Sequence, residues 1–132
     1  FTSGASSISQ RAALAAISAN PEVVGEMKTA FLERRDFIIE QLKTISGVKI
    51  NQPQGAFYVF PDISAFFGKS NGNQMITNSD DLCLYLLESA KVALVTGNAF
   101  GSPKCIRISY AASMKELVEA MMRIASALNN RV

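Results

Sequence analysis

The chain has 132 residues, of which 48% are hydrophobic and 18% charged, with a formal net charge of +2. This is enough for one domain with a real core, and too apolar for a disordered chain. Lys and Arg are scattered rather than gathered into the basic stripe a nucleic-acid surface needs, no apolar run nears the roughly 20 residues of a membrane span, and the absence of histidine removes Ser-His-Asp and Cys-His catalysis and imidazole metal sites from this chain.

The start, Phe1 to Ser7, has neither the basic nor the apolar region of a secretory signal. It also lacks an initiator Met, so the chain reads as a piece of something longer. Cys83 and Cys105, the two cysteines, form no CxxC pair and no disulfide framework, which fits a reducing compartment. A cytoplasmic protein is expected, with an organelle left open.

Ser6 to Ala19 reads as an Ala-rich helix, with Ile8, Ala12, Ala15, Ala16 and Ala19 at helical spacing. Asn20-Pro21-Glu22 is a restart signal: a capping Asn, then Pro at the first helical position, then an acid in the first turn. A long helix is expected to follow. Val24, Met27, Phe31, Ile38, Leu42 and Ile45 make its stripe, Arg34 and Arg35 interrupt it, and Gly47 caps it. Such a helix is longer than a small domain needs and could bridge two bodies; a coiled coil is the plainer alternative, but its heptads barely last three repeats. Val48 to Ile50 is a short strand candidate, and Pro53 to Gly55 a turn. Ala56 to Phe60 is apolar throughout, so it reads as a strand buried on both faces. Gly68 to Asn78 is a polar loop and the expected mobile segment. Thr77 to Asp80 has the pattern of a capping box, and Leu82, Leu86, Leu87 and Ala90 mark the helix after it. Val92 to Val95 is a strand, Gly97 to Pro103 a loop, and Cys105 to Tyr110 a strand. Ser113 to Glu116 is a second capping box, opening a helix that faces the core with Leu117, Met121, Ile124 and Leu128. The order predicts an α/β chain of α+β two-layer type: a small mixed or antiparallel sheet with helices on one face, preceded by the long helix.

Arg107 carries the functional interest. In Cys105-Ile-Arg-Ile-Ser-Tyr110 alternate side chains point to opposite faces. Ile106, Ile108 and Tyr110 take one face, and Cys105, Arg107 and Ser109 the other. No Asp or Glu occurs between Ser89 and Lys115, so the arginine has no acidic neighbour in sequence. A guanidinium is always charged, and its fork matches a carboxylate or phosphate two-pronged. An anion receptor is one reading; an exposed edge arginine, or one paired with a distant acid, is the plainer one.

Other motifs carry less. Asp80 and Asp81 start a helix, where acids are favoured by the dipole without any acid/base role. Gly97-Asn-Ala-Phe-Gly101 lies between strands and opens no helix, which argues against a phosphate cradle. Ser46-Gly-Val-Lys49 matches SxxK at a helix end, where neither a serine nucleophile nor a Schiff-base lysine belongs. Phe57 and Phe60 read as core, with a pocket-lining role open for Phe57.

Three spaced segments go further: Pro53-Gln-Gly-Ala-Phe-Tyr-Val-Phe60, Val92-Ala-Leu-Val-Thr-Gly-Asn-Ala-Phe-Gly101 and Ile106-Arg-Ile-Ser-Tyr-Ala111. Together they resemble the C-terminal part of class I, fold-type I pyridoxal-phosphate-dependent aminotransferases, most of all the aspartate aminotransferase group. Thr2 to Gln10 and Glu33-Arg-Arg-Asp36 also resemble that group, and Thr2 to Ser7 resembles its aspartate/prephenate branch. The resemblance covers essentially the whole chain in the right order. It implies a remnant of the large cofactor domain and the start of the interdomain helix in residues 1–25, and the small, substrate-closing domain in residues 26–132. It further implies that Arg107 binds the substrate α-carboxylate and that Phe57 lies beside the substrate. Ser3 and Gly4 would lie at the dimer interface, near the partner's active site. Many members carry Asn where this chain has Gly4 and Pro where it has Thr96.

The implied cofactor is pyridoxal 5'-phosphate, held by a lysine, an aspartate and phosphate-binding groups upstream of this chain. Catalytic, cofactor-binding and metal-binding residues are therefore expected to be none here. Partners would be an amino acid, aspartate or glutamate first, and a 2-oxo acid, within a homodimer, with no nucleic acid and no membrane. The alternative is a stand-alone α/β sensor or regulatory domain that uses Arg107 for a carboxylate metabolite.

Overall fold

The computed structural model describes residues 3–70 and 75–131, and the chain forms two compact units, residues 1–30 and 31–132. Phe1, Thr2 and the Asn71, Gly72 and Asn73 of the polar loop lie outside the described residues.

In the first unit, α1 runs Ser7–Ser18, and the Ser6 side chain caps it by accepting from the Ser9 amide at 3.2 Å. No residue of α1 is buried, and Ile8 and Ile17 are 81% and 84% exposed. The restart signal works as expected: the Asn20 side chain accepts from the Glu22 amide at 3.0 Å. However, Pro21–Val24 winds as a tighter 3₁₀ turn before α2, Gly25–Lys43, begins.

In the second unit, α2 buries Ile38, Ile39 and Leu42, with Ile45 just beyond its end. That end is drawn tight by bonds from the Thr44 amide to the Gln41 carbonyl and from the Ile45 amide to the Leu42 carbonyl, both 3.1 Å. Three short antiparallel strands follow, β1 Tyr58–Val59, β2 Val95–Thr96 and β3 Ile106–Ser109, in the order β1-β3-β2. The expected Val48 to Ile50 strand is only a single bridge, Lys49 to Asp62. The Ala56 to Phe60 segment is not buried on both faces: Val59 is fully buried but Phe57 is 47% exposed. Apolar composition alone could not distinguish these, because the outward aromatics meet other rings rather than the core.

Helix α3, Ser79–Tyr85, is continued by a π-helical turn over Leu86–Ala90, which Lys91 closes at a φ of 57°. Its cap differs from the expected box by one residue. Asn78 is the N-cap, accepting from the Asp80 and Asp81 amides, and Asp81 rather than Asp80 reaches back to Thr77. Helix α4, Met114–Arg131, opens with the expected box: the Glu116 amide donates to Ser113 Oγ, and the Ser113 amide to Glu116 Oε2 at 2.9 Å.

Val59, Ile106 and Ile108 from the sheet meet Ile38 and Leu42 of α2, Leu82 of α3, and Leu117, Met121, Ile124 and Leu128 of α4 in one core. Each fully buried aliphatic side chain of this kind stabilises the fold by about 1.5–3 kcal/mol. This is the α+β arrangement expected, with helices packed on the apolar face of a small antiparallel sheet.

Candidate functional site

Strand β3 is central, so its outward residues are flanked from both sides. Its alternation is sharp: Ile106 and Ile108 are 2% and 4% exposed, while Arg107 is half-buried and Ser109 exposed. Val95 lies opposite Arg107, and Tyr58 opposite Ser109. Residues directly opposite in antiparallel strands share a face, so Tyr58 lies one diagonal step from Arg107. On the other side β2 leads into a 3₁₀ turn, Gly97–Phe100, which delivers Phe100. The guanidinium carbon of Arg107 stands 5.5 Å from the Tyr58 ring centre and 5.0 Å from that of Phe100. Both distances lie within cation–π range.

No carboxylate pairs with Arg107 among the described residues. Its Nε is buried with no hydrogen-bond partner, and the residue as a whole is half-buried. An orphaned buried donor costs about 1–3 kcal/mol. Among the described residues the cation therefore stands unneutralised, on the face of β3 turned away from the core that Ile106 and Ile108 enter.

Two braces set the surroundings. The first holds the turn that carries Phe100. Thr96 Oγ1 accepts from the Asn98 amide at 3.2 Å and hydrogen-bonds the Oγ of fully buried Ser79 at 2.8 Å. Asn98 Nδ2 donates to the Asp80 carboxylate. Asp80 thus ties a loop instead of completing the predicted cap. The Phe60 ring meets Phe100 edge-on at 5.8 Å.

The second brace holds the turn before β1. Arg35 Nη1 donates to the Pro53 carbonyl at 3.1 Å, and the Tyr110 hydroxyl to the Ala56 carbonyl at 3.0 Å. The Tyr110 amide donates to the Phe57 carbonyl at 2.8 Å. Burial pushes the Tyr110 phenol above its ordinary value, so it stays protonated and keeps donating. Ala56 is held at a φ of 66°, a left-handed conformation that persists only where surrounding contacts dictate it.

Of the sequence-predicted site residues, Arg107 and Phe57 fall in the second unit but not against each other. The Phe57 ring packs edge-on to Tyr58 at 5.6 Å, and Tyr58 in turn faces Arg107. Ser3 and Gly4 lie in the first unit, both exposed, with Ser3 at a φ of 47° just before the α1 cap. Sequence reasoning missed Tyr58 and Phe100. Alternation sets which face a strand residue takes but not its cross-strand partner, so neither Tyr58 nor Phe100 was marked as a neighbour of Arg107.

All seven lysines are exposed, whereas a Schiff-base lysine is desolvated or set beside another cation. The expected Gly97 to Pro103 loop contains a four-residue 3₁₀ turn, Gly97–Phe100, and leads into β3 rather than opening an α-helix. Its amides are still committed internally: Gly97 to the Cys105 carbonyl, Gly101 to that of Asn98 and Ser102 to that of Gly97. Among the described residues no group of His, Cys, Asp and Glu could hold a metal ion, and no helix is long and apolar enough to cross a membrane.

Comparison with known proteins matches residues 1–124 to the family model for aminotransferase class I and II. The chain is 53% identical over 132 residues to a bifunctional aspartate aminotransferase and glutamate/aspartate-prephenate aminotransferase of Petunia hybrida, covering 97% of this chain and 28% of that protein. It is 43% identical over 129 residues to a probable aspartate/prephenate aminotransferase of Aquifex aeolicus, covering 96% of this chain and 31% of that protein. The crystal structure of an aspartate aminotransferase from Rhizobium meliloti superposes with a TM-score of 0.90 at 41% identity, over 99% of this chain and 33% of that one. The chain thus spans about a third or less of the relatives it matches.

Proposed function

The chain belongs to the aminotransferase class I and II family, and from that premise we propose that it is the substrate-closing part of a pyridoxal-phosphate-dependent aminotransferase. The reaction is transfer of an amino group between an amino acid and a 2-oxo acid. In this reading residues 26–132 form the small domain, and residues 1–25 belong to the large cofactor domain and the start of the interdomain helix. The names of the relatives favour aspartate and glutamate as amino donors, with prephenate as a further acceptor. Ser3 and Gly4 lie at the dimer edge near the partner's active site, in a cytoplasmic homodimer.

One observation carries the reading. Among the described residues Arg107 is a guanidinium with no ion-pair partner, set on the central strand with its Nε buried and unbonded. Such a group takes the α-carboxylate of the substrate through two parallel charge-assisted hydrogen bonds. That fixes the amino acid by the one group all amino acids share, and leaves the reacting bonds free to be aligned. Phe57, exposed beside Tyr58, offers an apolar wall that excludes water from the bound substrate. The cofactor, which this family generally uses, supplies the electron sink. Its lysine and phosphate contacts are assigned to the remainder of the polypeptide, since no lysine of this chain has the required setting.

The test is Arg107→Lys in the natural polypeptide that carries this chain. Lysine keeps the charge but loses the fork. A charged hydrogen bond contributes about 1.5–3 kcal/mol, so kcat/KM should fall about ten- to a hundred-fold for monocarboxylate and dicarboxylate amino acids alike. A loss confined to dicarboxylates would mean that Arg107 reads the side chain instead. A purified, natural 132-residue polypeptide that binds 2-oxo acids without transaminating would favour the sensor reading.

A further inference from the structure

We propose that Tyr58 and Phe100 are positioning residues that hold the Arg107 guanidinium between neutral aromatic rings, and that this neutral holding sets the site's affinity for carboxylates. The inference rests on the reading of Arg107 as the α-carboxylate receptor and goes beyond it.

A long, flexible arginine must be held still if its fork is to meet a carboxylate squarely. The usual holder is an acidic residue. An acid, however, occupies the same N–H groups the substrate needs and cancels the charge that attracts it. Among the described residues none pairs with Arg107. Instead one ring comes from each flanking strand: Tyr58 from β1, and Phe100 from the turn after β2, 5.5 and 5.0 Å from the guanidinium carbon. A ring face attracts the cation through its quadrupole and accepts none of the in-plane N–H bonds. The rings therefore neither neutralise the charge nor occupy the N–H groups that a carboxylate needs.

The rings are themselves held. Phe57 abuts Tyr58 edge-on, and Phe60 abuts Phe100. The Thr96–Ser79 and Asn98–Asp80 hydrogen bonds tie the Phe100 turn to the start of α3. The Phe100 ring is also 49% exposed, so apolar burial alone gives little reason for a large aromatic there.

The experiment uses the natural polypeptide with its cofactor bound, and compares inhibition by propionate and by propanamide, which differ in the carboxylate. Phe100→Leu and Tyr58→Leu keep an apolar side chain but remove the ring. Each should weaken propionate about 2- to 30-fold, the range expected for one cation–π contact, and leave propanamide within about two-fold. Phe100→Tyr should restore propionate binding. Phe100→Glu should be worse than Phe100→Gln, because the new carboxylate competes with the inhibitor's. Leu variants that bind propionate like the wild type, while Arg107→Lys does not, would overturn the clamp and leave the carboxylate reading standing. Propionate binding unchanged in Arg107→Lys as well would overturn both. Equal weakening of propionate and propanamide in the Leu variants would mean a general structural role and would also overturn the proposal.

Discussion

Replacing Gly97 and Gly101 by alanine adds the same methyl group to one 3₁₀ turn, yet the costs should differ several-fold and for different reasons. A Cβ at Gly97 would stand 2.1 Å from the Ser102 carbonyl oxygen and 2.3 Å from that of Cys105, each more than 1 Å inside ordinary contact. Both obstacles are backbone, so neither can swing aside. Relief requires moving the strand apart from its turn. That strains two 2.9 Å hydrogen bonds, from the Gly97 amide to the Cys105 carbonyl and from the Ser102 amide to the Gly97 carbonyl. Overpacking costs about 1–3 kcal/mol and each lost hydrogen bond about 1 kcal/mol, so Gly97→Ala should destabilise by about 3–5 kcal/mol. Gly101 meets nothing within 4 Å but sits at a φ of 71°. Its alanine variant bears only the left-handed backbone penalty, about 1–2 kcal/mol, and Gly101→Asn less, since Asn tolerates that region. Denaturant unfolding of the three variants of the natural polypeptide, followed by circular dichroism, gives the comparison. The reasoning is refuted if Gly97→Ala unfolds no earlier than Gly101→Ala, or if Gly101→Asn is as damaging as Gly101→Ala.

Burial, with the Asp80 charge adding to it, pushes the Cys83 thiol from an ordinary 9.0 up to about 11. At pH 8 its thiolate fraction is then about a hundred-fold below that of an ordinary cysteine. Its reaction with a chromogenic disulfide should be correspondingly slow in the native protein and recover in urea; equal rates in both would contradict this. The backbone and side-chain hydrogen bonds from Ser113 hold the Glu116 carboxyl below its ordinary 4.5. A depressed acid contributes stability above its unfolded value and loses it as pH falls through the folded value. Ser113→Ala should therefore lower stability near neutral pH, with the gap to wild type closing as the solution is acidified below the ordinary carboxylate range. A gap that stays constant or widens on acidification would show that the box contributes nothing through Glu116.

The elements near the site were legible in the sequence to different degrees. The alternation of Ile106, Arg107 and Ile108 set their faces without outside help, because a strand has a period of two wherever it lies. The caps at Asn20 and Ser113 were equally readable, since capping is a contact within three or four residues. The same locality explains the one-residue error at Thr77. Asn78 and Thr77 both offer a side-chain acceptor there, and what draws Asp80 away is Asn98, eighteen positions on. Strand lengths were overestimated for a related reason: Phe57 and Val92 are apolar, but whether they pair depends on partners far along the chain.

What the sequence determined by itself was local: where helices start, which face Arg107 takes, and that no acid stands near it along the chain. Its family motifs also carried the class of protein. Only the tertiary structure decided what surrounds the guanidinium. Tyr58 reaches it because β1 pairs with β3 in the register that sets Tyr58 against Ser109, and Phe100 because Thr96 and Asn98 are tied to the start of α3. These contacts join residues far beyond the reach of a single helix or strand pattern, 17 and 18 positions apart for the two ties to α3, so their energies come from chain closure and packing, which no local pattern of residue types encodes.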